Sequence, residues 1–459
     1  MVTLQDRTGM HMRNPNVVLV FADQWRAQAT GYAGDPNVKT PRLDALAQES
    51  LNFSLAISNC PVCSPYRGSL MTGQYPLTHG VFVNDVTLDP DAVTMGKVFA
   101  AAGYDTAYIG KWHLDGQGRS AYIPPERRQG FSYWKALECT HDYNRSPYYA
   151  GNDNEKKQWE GYDPTAQTRD AAEYIRGRSK EKPFLLVLSW GPPHNPYETA
   201  PQEYKDLYSP ESIILRPNVP ETMAGEARQW LAGYYAHCSA LDACLGQLLD
   251  TLRETGLEEN TLFLFTSDHG DMLGSQGEQR KQRPWDESIR VPFLLRCPEG
   301  FGRQAERNDA PISAPDILPT LLGLCGIAVP ETVEGLDFSG YVRGGQDPTD
   351  GAALIMCPHP FGEWTTARHL GRAYRGLRTR RHTYVRDING PWLLYDNIAD
   401  PYQQRNLVDD PEQMTLIKDM ENRLTRRRAL LADEFLPGMA YIRRWGYEID
   451  ASGTVPYLP

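Results

Sequence analysis

The sequence has no apolar run approaching the roughly 20 residues of a membrane-spanning helix. Its opening stretch, MVTLQDRTGMHMRNPN, carries no apolar core of a secretory signal. No membrane partner is therefore expected, and a cytoplasmic location is the default, with a periplasmic or secreted one following if a leader has been removed. Cysteine is sparse: eight in 459 residues, at Cys60, Cys63, Cys139, Cys238, Cys244, Cys297, Cys325 and Cys357. That scatter excludes a disulfide framework and leaves most of them as small buried apolar side chains. Positive charge is in deficit, 47 Lys and Arg against 58 Asp and Glu for a net charge of -11. This argues against a general nucleic-acid or anionic-membrane surface, so an anionic substrate needs a local basic pocket. Internal repeats and low-complexity tracts are also missing. What remains is globular composition, 41% hydrophobic and 23% charged, in a chain long enough for one large core and a smaller domain.

Three apolar runs of strand length stand between turn residues: VVLVFAD, FLLVLSW and LFLFTSD. Their unbroken rather than alternating character predicts strands buried on both faces, as in a parallel sheet covered by helices. Segments with helical spacing lie between them, among them PRLDALAQES, TMGKVFAAAG and YYAHCSALDACLGQLLDTLRETG. The alternation predicts an α/β class with a mostly parallel central sheet. After about Gly351 the pattern turns to short strands, AALIMC, YRGLRT, HTYVRD and PWLLYD, and then a charged helix from about Glu412 to Asp433. We expect residues 1–350 to form the main α/β domain and 351–459 a smaller α+β domain with an antiparallel sheet.

Two of the buried strands run into acids, giving Asp23 with Gln24 and Asp268 with His269. Ligands of open α/β sheets bind beyond the carboxyl ends of strands, where these residues can converge. Three oxygen-bearing side chains and an imidazole suit a hard divalent cation such as Ca²⁺ or Mg²⁺ better than zinc; acids after strands also serve as plain helix or turn caps. The stretch NCPVCSPYRGSLMTG contains a C-x-x-C pair. Ser64 as N-cap, Pro65 at the first position and Gly73 as the stop predict a short helix over Pro65–Thr72. Cys63 then lies just outside a helix N-terminus, which lowers a thiol pKa and attracts anions, and Arg67 adds a cation. A redox dithiol or half a zinc site are the plain alternatives. No second C-x-x-C follows, though, and neither accounts for Arg67. In YDTAYIGKWHLD, a strand would point Lys111 and His113 to one face. LSWGPPHNP places His194 in a turn after a buried strand, and Lys281 follows the second acidic strand end by about a dozen residues. A metal, an arginine, two lysines and two histidines around one cysteine describe a pocket for a tetrahedral oxyanion ester.

CSPYRGSLMTG matches the first signature of the type I sulfatases, and YDTAYIGKWH matches the second. TPRLDALAQES, PHNP, TSDHGDMLGSQG, Lys281 and ESIRVPF also fall in family order, and LYDNIADPYQQRNLV resembles the ending of the family's small domain. The chain thus resembles the type I sulfatase family of the alkaline-phosphatase-like superfamily, strongly over about Pro15 to Pro298. The resemblance implies that Cys63 is oxidised to formylglycine by a formylglycine-generating enzyme and that its hydrated aldehyde is the nucleophile. One gem-diol oxygen attacks sulfur and expels the alcohol; the second hydroxyl then loses its proton and eliminates sulfate. Asp23, Gln24, Asp268 and His269, with Cys63 adjoining, are the implied ligands of one divalent cation, Ca²⁺ first, with Mg²⁺ or Mn²⁺ as alternatives. Arg67 holds the formylglycine, Lys111 bridges nucleophile and sulfate, and His113 is the candidate base for elimination. His194 and Lys281 bind sulfate oxygens and protonate the leaving oxygen. The pattern departs from the family at Gln24, where many members carry aspartate, and at Gln276, often histidine. It departs again just before Lys281, where GEQRK replaces a more apolar lead-in. His79 is read as support for the loop after the signature helix.

Phosphonate or phosphodiester hydrolases share the scaffold, but by resemblance lack the Lys-x-His pair present as Lys111 and His113. A non-catalytic sulfated-glycan binder has no need of the nucleophile. With 10 Trp and 25 Tyr available for sugar stacking, the expected substrate is a sulfated carbohydrate. The loop at Asn84 and Asp85, the insert from Gly116 to Tyr162 and CPHPFGEW are its candidate specificity elements.

Overall fold

The computed structural model describes residues 14–366, 369 and 371–457. Its three unbroken apolar runs become neighbouring strands, Thr261–Ser267, Asn16–Asp23 and Phe184–Pro193, buried along their whole lengths. Asp105–Lys111 and Tyr133–Leu137 extend this parallel block outward from Phe184–Pro193. Antiparallel strands finish both sides: Phe293–Arg296 and then Leu51–Phe53 beyond Thr261–Ser267, Pro147–Ala150 and then Lys157–Gln158 beyond Tyr133–Leu137. Glu306–Asn308 closes the first edge of what is a ten-stranded sheet.

Alternation along one strand explains the two cores. Val17, Leu19 and Phe21 enter a core on one face, while Val18, Val20 and Ala22 enter the other. Each fully buried Val, Leu or Phe side chain among them contributes about 1.5–3 kcal/mol. The second face is covered by the helices Pro41–Ala47, Asp163–Arg176 and the 31-residue Ala224–Glu254. The first is covered by Cys63–Thr72, Met95–Ala101 and Ala314–Leu324.

Four strands, Ala352–Cys357, Tyr374–Thr379, His382–Asp387 and Gly390–Asp396, form a separate antiparallel meander. Helix Met414–Leu430 lies against it. Leu354, Met356, Leu377, Tyr384 and Leu394 of this sheet belong to the same core as Val17 and Leu70. The α/β class, the mostly parallel central sheet and the small antiparallel sheet are as expected. Among the described residues no helix is long and apolar enough to cross a membrane.

Candidate active site

Four parallel strands end side by side, and their ends carry the polar residues. Asp23 closes its strand, Lys111 closes another, His194 follows Pro193, and Asp268 and His269 follow Ser267. The chain turns sharply after Asp23: Gln24 adopts φ 72, and its N–H donates to Asp268 Oδ1 at 2.9 Å. A left-handed glutamine is costly and is held here by that bond and by Tyr234 O–H on its carbonyl at 2.7 Å.

Asp23, Cys63, Asp268 and His269 are all buried, and one ligand atom from each lies within 4.8 Å of all the others. Oxygens on opposite sides of a bound Ca²⁺ stand about 4.6–5.2 Å apart, so the cluster has the size of a divalent-cation site. Its charges fit as well. Burial alone raises the Asp23 carboxyl, but Lys111, His194, His269 and Arg67 hold it well below the ordinary range. Burial and the neighbouring Asp23 push Asp268 up instead. Burial opposes charge on His269, yet Asp268 and Cys63 raise its pKa. Two buried carboxylates thus attract one more positive charge at this point. His269 Nδ1 sits 2.9 Å from Gly270 O, to which it can donate, leaving Nε2 toward Cys63 Sγ and Asp23 Oδ1 at 3.3 and 3.4 Å.

The nucleophile helix differs from expectation at its start. It spans Cys63–Thr72 with Val62 as N-cap, so Cys63 is its first residue and Ser64 does not cap it. The Ser64 N–H is met by Asn84 Oδ1 at 3.0 Å from a distant loop, which removes the need for a local cap. Gly73 ends the helix at φ 69 as expected. Cys63 Sγ lies 3.5 Å from both Asp23 Oδ1 and Lys281 Nζ. Burial and Asp23 raise this thiol, but Lys111, Lys281 and His269 outweigh them and bring it well below the ordinary thiol range. Arg67, one turn on, spans both acids, with one NH₂ nitrogen 3.3 Å from Asp23 Oδ2 and from Asp268 Oδ2. Its other nitrogen donates to Lys111 O and Ser189 Oγ at 2.7 Å each.

Lys111 and His113 do not share a strand face. The strand stops at Lys111, whose Nζ reaches Asp23 Oδ2 at 2.6 Å, and His113 lies past it at φ 58. The left-handed turn sends His113 Nε2 to Asp85 Oδ1 at 3.3 Å, and Asp85 is gripped in turn by Arg119. Burial lowers the imidazole pKa, but Cys139, Asp85 and Cys63 bring it up to about 10. Among the described residues His113 Nδ1 is buried without a hydrogen-bond partner. His194 Nδ1 lies 2.8 Å from Asn195 O, and its Nε2 meets Lys281 Nζ at 2.5 Å. Burial and Lys281 hold His194 well below the ordinary imidazole range. Lys281 also donates to Gln24 Oε1 at 3.2 Å, so despite its altered lead-in this lysine reaches the centre of the cluster.

Gln276 stays outside. Its Nε2 donates to Tyr402 O and Gln403 O, tying its loop to the C-terminal part. His79 bonds Ser69 Oγ and the Val81 N–H behind the nucleophile helix. Three contributors went unread in the sequence. Asp271 receives Gln24 Nε2, and Tyr197 donates to the same carboxylate. His141 stacks on His194 with centroids 4.7 Å apart and planes 8° from parallel, and burial with Lys111 lowers it to about 3. Asp271 stood in plain view within TSDHGD; His141, in a loop without periodicity, had no signal.

A mostly parallel sheet with carboxylates, lysines and histidines around one helix-start cysteine defines an oxyanion-ester hydrolase of the alkaline-phosphatase-like class. Residues 15–327 match the sulfatase family, and residues 274–430 match the C-terminal region described for N-sulphoglucosamine sulphohydrolase. An ulvan-active sulfatase of Formosa agariphila is 49% identical over 96% of this chain and 87% of its own. An endo-4-O-sulfatase of Bacteroides thetaiotaomicron is 32% identical over 86% and 88%. A solved structure from the metabolism of multiple glycosaminoglycans by Bacteroides thetaiotaomicron superposes with a TM-score of 0.83 at 30% identity, covering 97% of this chain and 100% of that one. The chain belongs to the sulfatase family and is a sulfuric ester hydrolase.

Proposed function

We propose that the protein hydrolyses a sulfate monoester on a carbohydrate, using formylglycine at position 63 and one divalent cation, Ca²⁺ first. The observation that carries this is the convergence on one sulfur: Asp23, His269 and Lys281 all lie 3.3–3.5 Å from Cys63 Sγ. The carbohydrate half rests on the relatives named for ulvan and for glycosaminoglycan metabolism. Asp23, Gln24, Asp268 and His269 would hold the cation, which supplies Lewis-acid stabilisation of charge at the reacting oxygens. Oxidised Cys63 supplies a hydrated aldehyde, with one oxygen to attack sulfur and a second hydroxyl through which sulfate is expelled.

The remaining groups divide the proton and charge work. Arg67 keeps the two acids apart and in place, and Lys111, already paired with Asp23, stands ready to meet sulfate oxygens. With Nδ1–H donated to Asn195 O, His194 is neutral and accepts from Lys281 at Nε2. The proton for the leaving oxygen is therefore carried by the Lys281–His194 pair. His113, with Nε2 on Asp85 and its pKa raised to about 10, is held protonated at neutral pH, and as the candidate base for elimination it would act through Nδ1 only from its deprotonated form.

Mass spectrometry of the peptide containing position 63, after co-expression with a formylglycine-generating enzyme, is expected to show aldehyde in place of thiol. Defined sulfated saccharides should then release sulfate. An unmodified thiol with full turnover would overturn the nucleophile. Turnover of aryl sulfates or phosphonates alone would overturn the substrate.

A further inference from the structure

A glutamine as cation ligand raises a problem that an aspartate does not. An aspartate presents oxygen whichever way it turns, whereas a glutamine presents an oxygen or an NH₂ depending on one rotation of its amide. Beside a cation, an inverted amide is repulsive. Something must fix the rotation of Gln24, and it must accept a hydrogen bond without being able to give one.

Asp271 meets that requirement. Its Oδ2 receives Gln24 Nε2 at 2.7 Å and Tyr197 O–H at 2.5 Å. Its Oδ1 receives the N–H groups of Arg280 at 2.9 Å and Leu273 at 3.2 Å. Four donors thus occupy the roughly four acceptor sites of one carboxylate, which is fully buried, as are Gln24 and Asp268. A carboxylate so enclosed can receive only the NH₂ end of the amide. The oxygen is thereby turned the other way, where Lys281 Nζ lies 3.2 Å from it and Cys63 Sγ lies 3.5 Å from that same Nζ. Asp271 is also set apart from the cation cluster formed by Asp23, Cys63, Asp268 and His269, so its role is not that of a ligand.

We infer that Asp271, buttressed by Tyr197, is the positioning residue that aims the Gln24 amide oxygen at the divalent cation, a device this chain needs because glutamine replaces an acid at position 24. The inference rests on the reading of Gln24 as a ligand, and the test separates the two. Outer partners of metal ligands are worth about 10- to 100-fold in metal affinity.

The experiment is calorimetric titration of the chelator-stripped full chain with Ca²⁺ alone, in a cycle of wild type, Asp271→Asn, Gln24→Asp and the double variant. Asp271→Asn is expected to weaken Ca²⁺ binding about 10- to 100-fold in the Gln24 background. In the Gln24→Asp background, where no amide needs orienting, the same change should cost less than about threefold or improve binding, because it removes a carboxylate that faces the one newly placed at position 24. If Asp271 merely anchors the loop through Arg280 and Leu273, its loss will cost the same in both backgrounds, and the inference falls while the ligand assignment stands. If Gln24→Ala leaves Ca²⁺ affinity unchanged, the ligand assignment and the inference fall together. Should Asp271→Asn not fold, Tyr197→Phe serves in its place, with a severalfold loss expected only in the Gln24 background; equal losses in both overturn the inference.

Discussion

Cys60 and Cys63 are three residues apart and each 1% exposed, so burial cannot distinguish them; their neighbours do. Around Cys60, burial and Cys357 drive the thiol well above its ordinary pKa, and Arg375 offsets only part of this. Around Cys63, two lysines and a histidine reverse the effect of burial. Cys63→Ala is accordingly expected to lower sulfate release by at least about a thousandfold with the melting temperature little changed. Cys60→Ala should keep kcat and lose about 1 kcal/mol of stability to the small cavity. Equal activity losses in steady-state assays of the two variants would contradict the assignment. At this scale the groups ending strands or starting the helix were legible, because a strand end or helix start is written in local residue order. Asp85 was legible only as part of a specificity loop, Asp271 stood in TSDHGD without its partners Gln24 and Tyr197 being readable, and His141 lies in a loop whose path depends on contacts tens of residues away. His113 shows the limit: two residues past Lys111 it leaves the strand through a left-handed turn that no alternation pattern announces.

Among the elements, helix Asp163–Arg176 carries a buried acid at its first position. The helix dipole favours an anion there by about 0.3–1 kcal/mol, less than the several kcal/mol that burying a carboxylate costs. Gln167 Nε2, at 3.2 Å, and the nearby Ser146 hydroxyl offset only part of this, and among the described residues Asp163 Oδ1 has no hydrogen-bond partner. Burial accordingly raises the Asp163 pKa from 3.8 to about 8. The folded state then keeps a proton that the unfolded chain releases near pH 4. The stabilisation is complete below that pH, declines by up to about 1.4 kcal/mol per unit as pH rises, and is lost above about 8. Asp163→Asn should therefore melt progressively higher than wild type between pH 5 and 8, as read by calorimetry across that range; a difference that does not grow with pH would show Asp163 to be ionised throughout. Elements themselves were read most accurately where apolar pattern and turn residues agreed. Ala352–Cys357, Tyr374–Thr379 and His382–Asp387 fall at the short strands AALIMC, YRGLRT and HTYVRD. The helix Ala224–Glu254 begins ten residues before its apolar run at Tyr234, because its first turns are partly exposed and carry mixed polarity.

Across the whole molecule, the antiparallel sheet is fastened to the loops that build the site. Arg378 of that sheet reaches both oxygens of Asp286 at 2.8 Å, and both residues are buried. Gln403 Oε1 accepts from the Asp286 N–H, Gln282 exchanges two bonds with the Phe361 backbone, and Arg280 pairs with Glu363 at 2.9 Å. The segment holding Lys281 is thus clamped on either side by residues beyond 350. Arg378 and Arg290 hold Asp286 well below the ordinary carboxylate range against the effect of burial. Removing one partner of a buried pair costs about 3–5 kcal/mol where the remaining charge is left unpaired, and Asp286 keeps Arg290, which sets the loss at the lower end of that range. Arg378→Met should shift unfolding by that amount as a single transition. Residues 1–350 alone should not fold, since they would leave uncovered the apolar surface that Leu354, Met356, Leu377 and Tyr384 now bury. Two resolved calorimetric peaks in the full chain, or a cooperative transition in the shortened one, would mean the two sheets are independent. A single peak would mean that Lys281 is held in place by the molecule as one unit, so that damage to the small sheet lowers the stability of the whole, and turnover is lost together with the fold.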